Sequence, residues 1–170
     1  IFYPVARNLK SKLHNWLYNS RFYLNLIGDS KIRSLVLTTQ DKELLAKHNP
    51  EQTIVVIPNP LNIFEFTQKK YTKSSAFNIY YVGRMTEQKG VDTLADAIEL
   101  LAGREEFGHI KFYFIGSGDQ QDVLEAVSKK YSNCSFLGFK NNVIDYYHLA
   151  DLVVAPSRWE TFCYSVAEAQ

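Results

Sequence analysis

Cysteine, methionine, histidine and net charge are all scarce in this chain. Its 170 residues include 2 Cys, 1 Met and 4 His, and the formal charge is +1. Cys134 and Cys163 have no paired spacing, which argues against a disulfide framework, and there is no Cys or His cluster of the kind that builds a zinc site. A reducing, cytosolic home is expected. The near-zero charge gives no general pull toward nucleic acid. No apolar run approaches the roughly 20 residues that a membrane-spanning helix needs. The first residues lack a charged start followed by an unbroken apolar stretch, so secretion is not expected.

What is present is ordinary for a globular protein: 46% hydrophobic and 22% charged residues, enough for one sizeable domain. Ile1 is not a start methionine, and Gln170 falls inside a helical pattern with no glycine or proline stop. The chain is therefore expected to be part of something longer.

From Phe77 onward, short β-rich apolar runs alternate with amphipathic stretches. The runs are Phe77 to Val82, Ile110 to Ile115, Ser135 to Leu137 and Leu152 to Ala155. Helical patterns start at Val91, Gln120 and Val143, and again after Glu160. This alternation predicts βαβ units and a parallel sheet, because parallel neighbours need a crossover and a helix supplies it. Val91, Leu94, Ala95, Ile98 and Leu101 share one helical face, with Gly103 as the expected stop. Upstream, Leu35 to Thr38 and Thr53 to Ile57 read as strands, with a short helix from Asp41 to Lys47 between them. Pro58-Asn-Pro60 and the polar stretch Gln68 to Ser75 read as a linker.

The opening third is basic. Residues 1 to 33 hold Arg7, Lys10, Lys12, Arg21, Lys31 and Arg33 against Asp29 alone. The spacing of Val5, Leu9, Leu13, Trp16, Leu17, Leu24 and Ile27 predicts a helix with basic and aromatic residues interleaved. Two readings stand: a helix on a membrane surface, or one packed on a further part of the protein, with its asparagines on a solvated face.

Three strand-to-helix junctions carry chemistry-bearing groups, and in a parallel sheet such junctions share the rim where ligands bind. In Val82-Gly-Arg-Met-Thr-Glu-Gln-Lys-Gly90, Gly83 allows close approach to the backbone, and Arg84 and Lys89 bracket a loop that opens onto a helix N-terminus. That is a phosphate site or, equally well from the local pattern, a solvated basic turn. Ile115-Gly-Ser-Gly-Asp-Gln-Gln121 resembles a dinucleotide fingerprint but has Gln121 at the third glycine position, and no acidic residue ends the next strand; a tight structural turn is the better reading. After Leu152 to Ala155, Glu160 precedes a helix whose first free N–H donors would be Phe162, Cys163 and Tyr164, and Glu168 leans back over Tyr164 and Ser165 toward the same rim. Cys163 could also be read as a thiol at a helix N-terminus, but no histidine base accompanies it.

Taken in order, these segments resemble the family 4 (group 1) retaining glycosyltransferases of the GT-B fold. The matching stretches are Thr38-Thr39-Gln40, Val56-Ile-Pro-Asn-Pro-Leu-Asn62, Tyr81 to Gly90, Phe114-Ile-Gly-Ser-Gly118, Phe136-Leu-Gly138, and Ala150 to Ser157 before Glu160 and Glu168. The resemblance implies an α/β fold, a Rossmann-like parallel sheet flanked by helices. Residues 1–57 would be the C-terminal end of the acceptor domain, 58–75 the interdomain linker and 76–170 most of the nucleotide-sugar-binding domain, truncated at its C-terminus.

It further implies that Arg84 and Lys89 contact the donor diphosphate and that Glu160 holds hydroxyls of the transferred sugar. Glu168 would accept hydrogen bonds from the ribose. Phe162, Cys163, Tyr164 and Ser165 would offer backbone N–H groups, Gly83 would line the donor site, and Phe139 and Lys140 would border the base. The implied reaction is transfer from a nucleoside-diphosphate sugar to the hydroxyl of a glycan or lipid-linked acceptor, with retention. No cofactor or metal is implied, since fixed cations can stabilise the leaving group. Surface polysaccharide or glycolipid synthesis in the cytoplasm, with peripheral contact at the inner face of the membrane, fits that role, and no nucleic acid is expected as a partner. This chain alone, without the acceptor half, is expected to be inactive. Thr161, Cys163 and Pro60 stand where the family usually has glycine, and the added bulk at the first two narrows the sugar pocket. Two other readings share these residues: a nucleotide-sugar epimerase of the same fold, and a non-catalytic nucleotide-sugar-binding domain.

Overall fold

The computed structural model describes residues 12, 13, 16, 17, 20–27, 29, 31–61 and 75–170. The chain divides into two compact units, Ile1–Pro60 and Leu61–Gln170, and the division falls inside the stretch 58–75 expected to link two domains. Most of that stretch, like much of the stretch 5–19, lies outside the described residues.

In the first unit the expected helix to Ile27 is interrupted. Ser20 sits in a bend and its Oγ accepts the Tyr23 N–H at 3.2 Å, starting a separate helix α1 (Arg21–Ile27). A side-chain cap of this kind satisfies an otherwise free first-turn donor, which is why serine restarts a helix rather than continuing one. Strands β1 (Ser34–Val36) and β2 (Ile54–Val56) pair in parallel around helix α2 (Thr39–His48). The first strand stops short of the expected Thr38 because Thr38 caps the helix, its Oγ1 accepting from the Asp41 N–H at 3.1 Å. Lys47 and His48 in the last turn suit the negative end of the helix dipole.

The second unit is a four-stranded parallel sheet. Strands β3 (Phe77–Val82), β4 (Ile110–Ile115), β5 (Cys134–Gly138) and β6 (Leu152–Val154) lie in the order β5-β4-β3-β6. Helix α3 (Val91–Leu101) links β3 to β4, α4 (Gln121–Lys130) links β4 to β5, and α5 (Ile144–Leu149) leads into β6. Ile79, Tyr81, Phe112 and Phe114 point to one face, where they meet Val91, Leu94, Ala95 and Ile98 of α3 and Leu124 and Val127 of α4. On the other face Tyr80 stacks on Tyr113, ring centroids 4.6 Å apart, and meets Tyr146 of α5 at 6.1 Å. Cover on both faces explains why β3 and β4 read as nearly continuous apolar runs. Burial with the neighbouring rings pushes the Tyr80 hydroxyl up to about 12.

Two details fix the sheet. Asp151 ties β6 to β3: its Oδ2 accepts the Asn78 N–H and its own N–H donates to the Asn78 carbonyl, both at 2.9 Å. Between β4 and β5 the register slips so that Ile115 faces Gly138, and Gly138 has φ +68°. That bulge lets the Gly116 N–H reach the Gly138 carbonyl at 2.9 Å.

Glycine does not stop α3 as expected. The helix is closed by Ala102 in right-handed conformation, its N–H on the Ile98 carbonyl, and Gly103 is not among the glycines of positive φ. The glycines that geometry requires lie elsewhere. Gly116 has φ +134°, and a Cβ there would fall 1.9 Å from the Gly83 carbonyl oxygen, whereas one on Gly103 would have open space. Gly116→Ala is expected to cost about 2–4 kcal/mol of stability. Gly103→Ala should be neutral or stabilising by up to about 1 kcal/mol. Urea unfolding of the two variants checks both, and equal midpoints would contradict the assignment.

Candidate functional site

Strand order decides where the site lies. The chain runs from β3 outward to β4 and β5, then returns to place β6 on the other side of β3. The carboxyl ends of β3 and β6 therefore meet at a topological switch point, where loops leave in opposite directions and open a crevice. The loop 83–90 leaves β3, and the loop 155–163 leaves β6.

The first loop is built over a buried methionine. Met85 is fully buried; its N–H donates to the Ser117 carbonyl at 2.8 Å and its carbonyl accepts from the Gln120 N–H at 2.9 Å. A Cβ on Gly118 would lie 2.3 Å from that carbonyl, so the Ile115-Gly-Ser-Gly118 turn packs its backbone directly on the loop. This is the tight structural turn expected from the sequence. Beside it, the Tyr81 hydroxyl donates to the Arg84 carbonyl at 2.7 Å. Burial first, then the nearby Glu160 carboxylate, hold the Tyr81 phenol well above its ordinary range, so it remains a neutral donor. Arg84 thus has a fixed backbone and an exposed guanidinium. Gly83 meets only ordinary contacts on its own Cα, and the close approach to its backbone comes from Gly116.

The two loops are then stapled together. Gly90, in left-handed conformation at φ +66°, lies so close to Pro156 that a Cβ would fall 2.2 Å from the Pro156 carbonyl oxygen. The Arg158 N–H donates to the Gln88 carbonyl at 2.8 Å, and Gln88 Nε2 donates to the Trp159 carbonyl at 3.1 Å. The Arg158 guanidinium reaches the Glu87 carbonyl and Asp92 Oδ2, each at 2.5 Å. These bonds bring Lys89 onto Glu160: the ammonium donates to Glu160 Oε1, which also accepts from Ser157 Oγ at 2.7 Å. Both side chains of the ion pair are about four-fifths buried, at 19% and 20% exposure. The pair is therefore less screened than an exposed ion pair, for which about 0–1 kcal/mol is typical.

After Glu160 the backbone differs from the sequence reading. Helix α6 spans Tyr164–Glu168, with Cys163 extended at its N-cap (φ −96°, ψ 91°). The four first-turn N–H groups without a helical partner therefore belong to Cys163, Tyr164, Ser165 and Val166, and of the expected donors only Phe162 lies ahead of the helix, its ring edge-on to Tyr164 at 4.8 Å. The physical reason is the staple: with residues 156–160 held against the first loop, the chain needs Thr161 to Cys163 to turn back. Cys163 Sγ lies 3.4 Å from Ser165 Oγ. Glu168, at the end of α6, does not point freely at the rim, since its Oε2 accepts from the Tyr147 hydroxyl at 2.9 Å.

Of the predicted site residues, the structure thus joins Lys89 to Glu160 and gathers Phe162, Cys163, Tyr164 and Ser165 around one turn. Arg84, Phe139 and Lys140 make no side-chain hydrogen bond or ion pair with other described residues; Phe139 is 69% exposed. Tyr81, Gln88, Tyr147, Ser157 and Arg158 were not anticipated. Only Ser157 left a signal, the Ser-x-x-Glu spacing in which a hydroxyl and a carboxylate three residues apart can bond. Among the described residues no group of three or more His, Cys, Asp or Glu is placed to hold a metal ion, and no helix is long and apolar enough to cross a membrane.

The family described as Glycosyl transferases group 1 matches residues 76–170, and the chain belongs to it. Over 164 residues it is 28% identical to an uncharacterized glycosyltransferase of Methanocaldococcus jannaschii, covering 86% of this chain and 41% of that protein. Over 162 residues it is 26% identical to a subunit of human phosphatidylinositol N-acetylglucosaminyltransferase, covering 90% of this chain and 32% of that protein. The chain thus spans well under half the length of these relatives. Its backbone is similar to that of TarM, with a TM-score of 0.70 and 21% identity, covering 94% of this chain and 30% of TarM. A variant of S. aureus TarM has been crystallised with UDP and alpha-GlcNAc-glycerol. The likeness to TarM concerns the fold, which is that of GT-B glycosyltransferases.

The staple has a pH signature. The hydrogen bond from Arg158 holds the Asp92 carboxyl below the usual carboxylate range, so the folded chain takes up this proton less readily than the unfolded one. The stabilisation is complete above the unfolded value of about 4 and is lost as pH falls through the lowered folded value. Asp92 is 45% exposed, so the effect is partly screened. Urea midpoints of the parent and Asp92→Asn are expected to differ at pH 7 and to converge below about pH 4; a gap that widens in acid would contradict this.

Proposed function

We propose that the intact protein moves a sugar from a nucleoside-diphosphate donor to an acceptor hydroxyl, with retention at the anomeric carbon and without a metal ion. The observation that carries this reading is the placement of Lys89 against Glu160, with Arg84 exposed on the same loop, at the switch point of the sheet. In such a transfer the bond from the anomeric carbon to the diphosphate breaks and the diphosphate keeps the electron pair. A bond forms to the acceptor oxygen, which gives up its proton. The growing negative charge needs fixed positive groups, and the arginine fork and the lysine point charge are of that kind.

Lys89 has three N–H donors and spends one on Glu160. It can therefore hold Glu160 and a phosphate oxygen together, linking the leaving group to the carboxylate that accepts sugar hydroxyls. Ser157 orients the same carboxylate. Phe139 and Lys140 border the base, the backbone at Gly83 and from Phe162 to Ser165 lines the donor, and Glu168 takes the ribose hydroxyls. That UDP and a glycosylated glycerol bind a protein of this fold, and that the human relative belongs to a phosphatidylinositol N-acetylglucosaminyltransferase, support a nucleotide-sugar donor and a glycan or lipid-linked acceptor. The role proposed is surface polysaccharide or glycolipid synthesis in the cytoplasm, at the inner face of the membrane.

Arg84→Ala and Lys89→Ala in the intact protein are each expected to lower kcat/KM for sugar transfer by roughly 10²–10³. Transfer at the parent rate in both variants would refute the assignment. A chelating agent in excess should leave the parent rate unchanged; a rate restored only by added metal would refute the metal-free mechanism.

A further inference from the structure

Helix α5 carries two consecutive tyrosines that do different work. Tyr146 packs toward Tyr80 under the sheet, whereas the Tyr147 hydroxyl donates to Glu168 Oε2 at 2.9 Å. Glu168 closes a helix of only five residues, so little in its own element fixes the carboxylate. The hydrogen bond comes from a residue 21 positions away, on the far side of β6. It occupies one oxygen and fixes the plane of the carboxylate, while Oε1 bonds to no described side chain. A carboxylate held by one oxygen can present the other, and the spare lone pairs of both, to a pair of adjacent hydroxyls. Burial keeps Tyr147 protonated far into alkaline pH, with the bond to Glu168 adding to the effect, so the donor is always present.

We infer that Tyr147 is a positioning residue, holding the Glu168 carboxylate in the orientation that reads the ribose hydroxyls of the donor and so setting the preference for ribonucleotides. This rests on the reading above in which Glu168 takes the ribose. Tyr147 touches no donor atom itself; it acts by fixing what does. Loss of its hydroxyl frees Glu168 to rotate, and the loss is felt only by ligands with hydroxyls to offer.

The test is calorimetric binding of UDP and of 2′,3′-dideoxy-UDP to the intact parent, Tyr147→Phe and Glu168→Ala, with the guanosine pair substituted if the parent binds GDP instead. The parent should prefer the ribonucleotide. Tyr147→Phe should weaken ribonucleotide binding about tenfold and leave the dideoxy affinity within about twofold. Adding it to Glu168→Ala should change little, since the residue it positions is gone. Equal weakening of both nucleotides would show a merely structural role and overturn the inference, as would no change in either. A parent that binds UDP or GDP but does not prefer it over the dideoxy form also overturns it, leaving the transfer reading intact. A parent that binds another nucleoside diphosphate is tested with that base's pair, and one that binds no nucleoside diphosphate of any base defeats the transfer reading and this inference with it. Thermal melts of each variant confirm that the protein compared is folded.

Discussion

The constraint on which the two loops of the site depend is the approach of Gly90 to the Pro156 carbonyl. A side chain at position 90 would collide with backbone, and the left-handed conformation there disfavours any other residue. That contact sets the distance between the loop after β3 and the loop after β6. Every bond that follows depends on it: Arg158 to Gln88, Glu87 and Asp92, Gln88 to Trp159, and Lys89 to Glu160. A methyl group at position 90 would move Glu160 away from Lys89.

Below this staple is a second one made of backbone. Gly116 approaches Gly83, Gly118 approaches Met85, and Met85 bonds in both directions to the turn after β4. Close packing without side chains gives a rigid floor, because there are no rotamers to adjust and the polar groups are paired. On it stand long side chains with fixed roots. Arg84 has its carbonyl held by Tyr81 and its guanidinium exposed. Such an arrangement lowers the reorganisation needed when a charged ligand arrives, which is where electrostatic stabilisation gains most.

The two glutamates near the end of the chain invite comparison with the paired carboxylates of glycoside hydrolysis, where one acid must hold a proton at neutral pH. Their surroundings differ. Glu160 is bonded by a lysine and a serine hydroxyl, and Glu168 by a tyrosine hydroxyl. All are hydrogen-bond donors, and the carboxylate oxygens accept from them. Each glutamate is suited to hold hydroxyls, and each is oriented by a residue distant in sequence.

Periodicity determined most of the secondary structure. The short, β-rich apolar runs at Phe77 to Val82 and Ile110 to Ile115 fit strands covered on both faces, and the 3.6-residue spacing from Val91 to Leu101 fits a helix with one buried side, as the structure has them. The strand-end positions of Gly83 and Arg84 and the placing of Glu160 in the loop after β6 followed from that pattern, and with them the rim where these residues lie. Boundaries were less legible: Ser20 restarts a helix, Ala102 rather than Gly103 closes one, and α6 begins at Tyr164. Each depends on a hydrogen bond or a loop constraint that hydrophobic spacing does not encode. Tertiary structure alone decided the pairs, Lys89 with Glu160 across 71 residues and Tyr147 with Glu168 across 21. The reason is physical. Which residue types can bind a phosphate or a hydroxyl is a property of the side chain, but which of them meet depends on strand order, and β6 brings Glu160 to Lys89 only because it returns to the free side of β3.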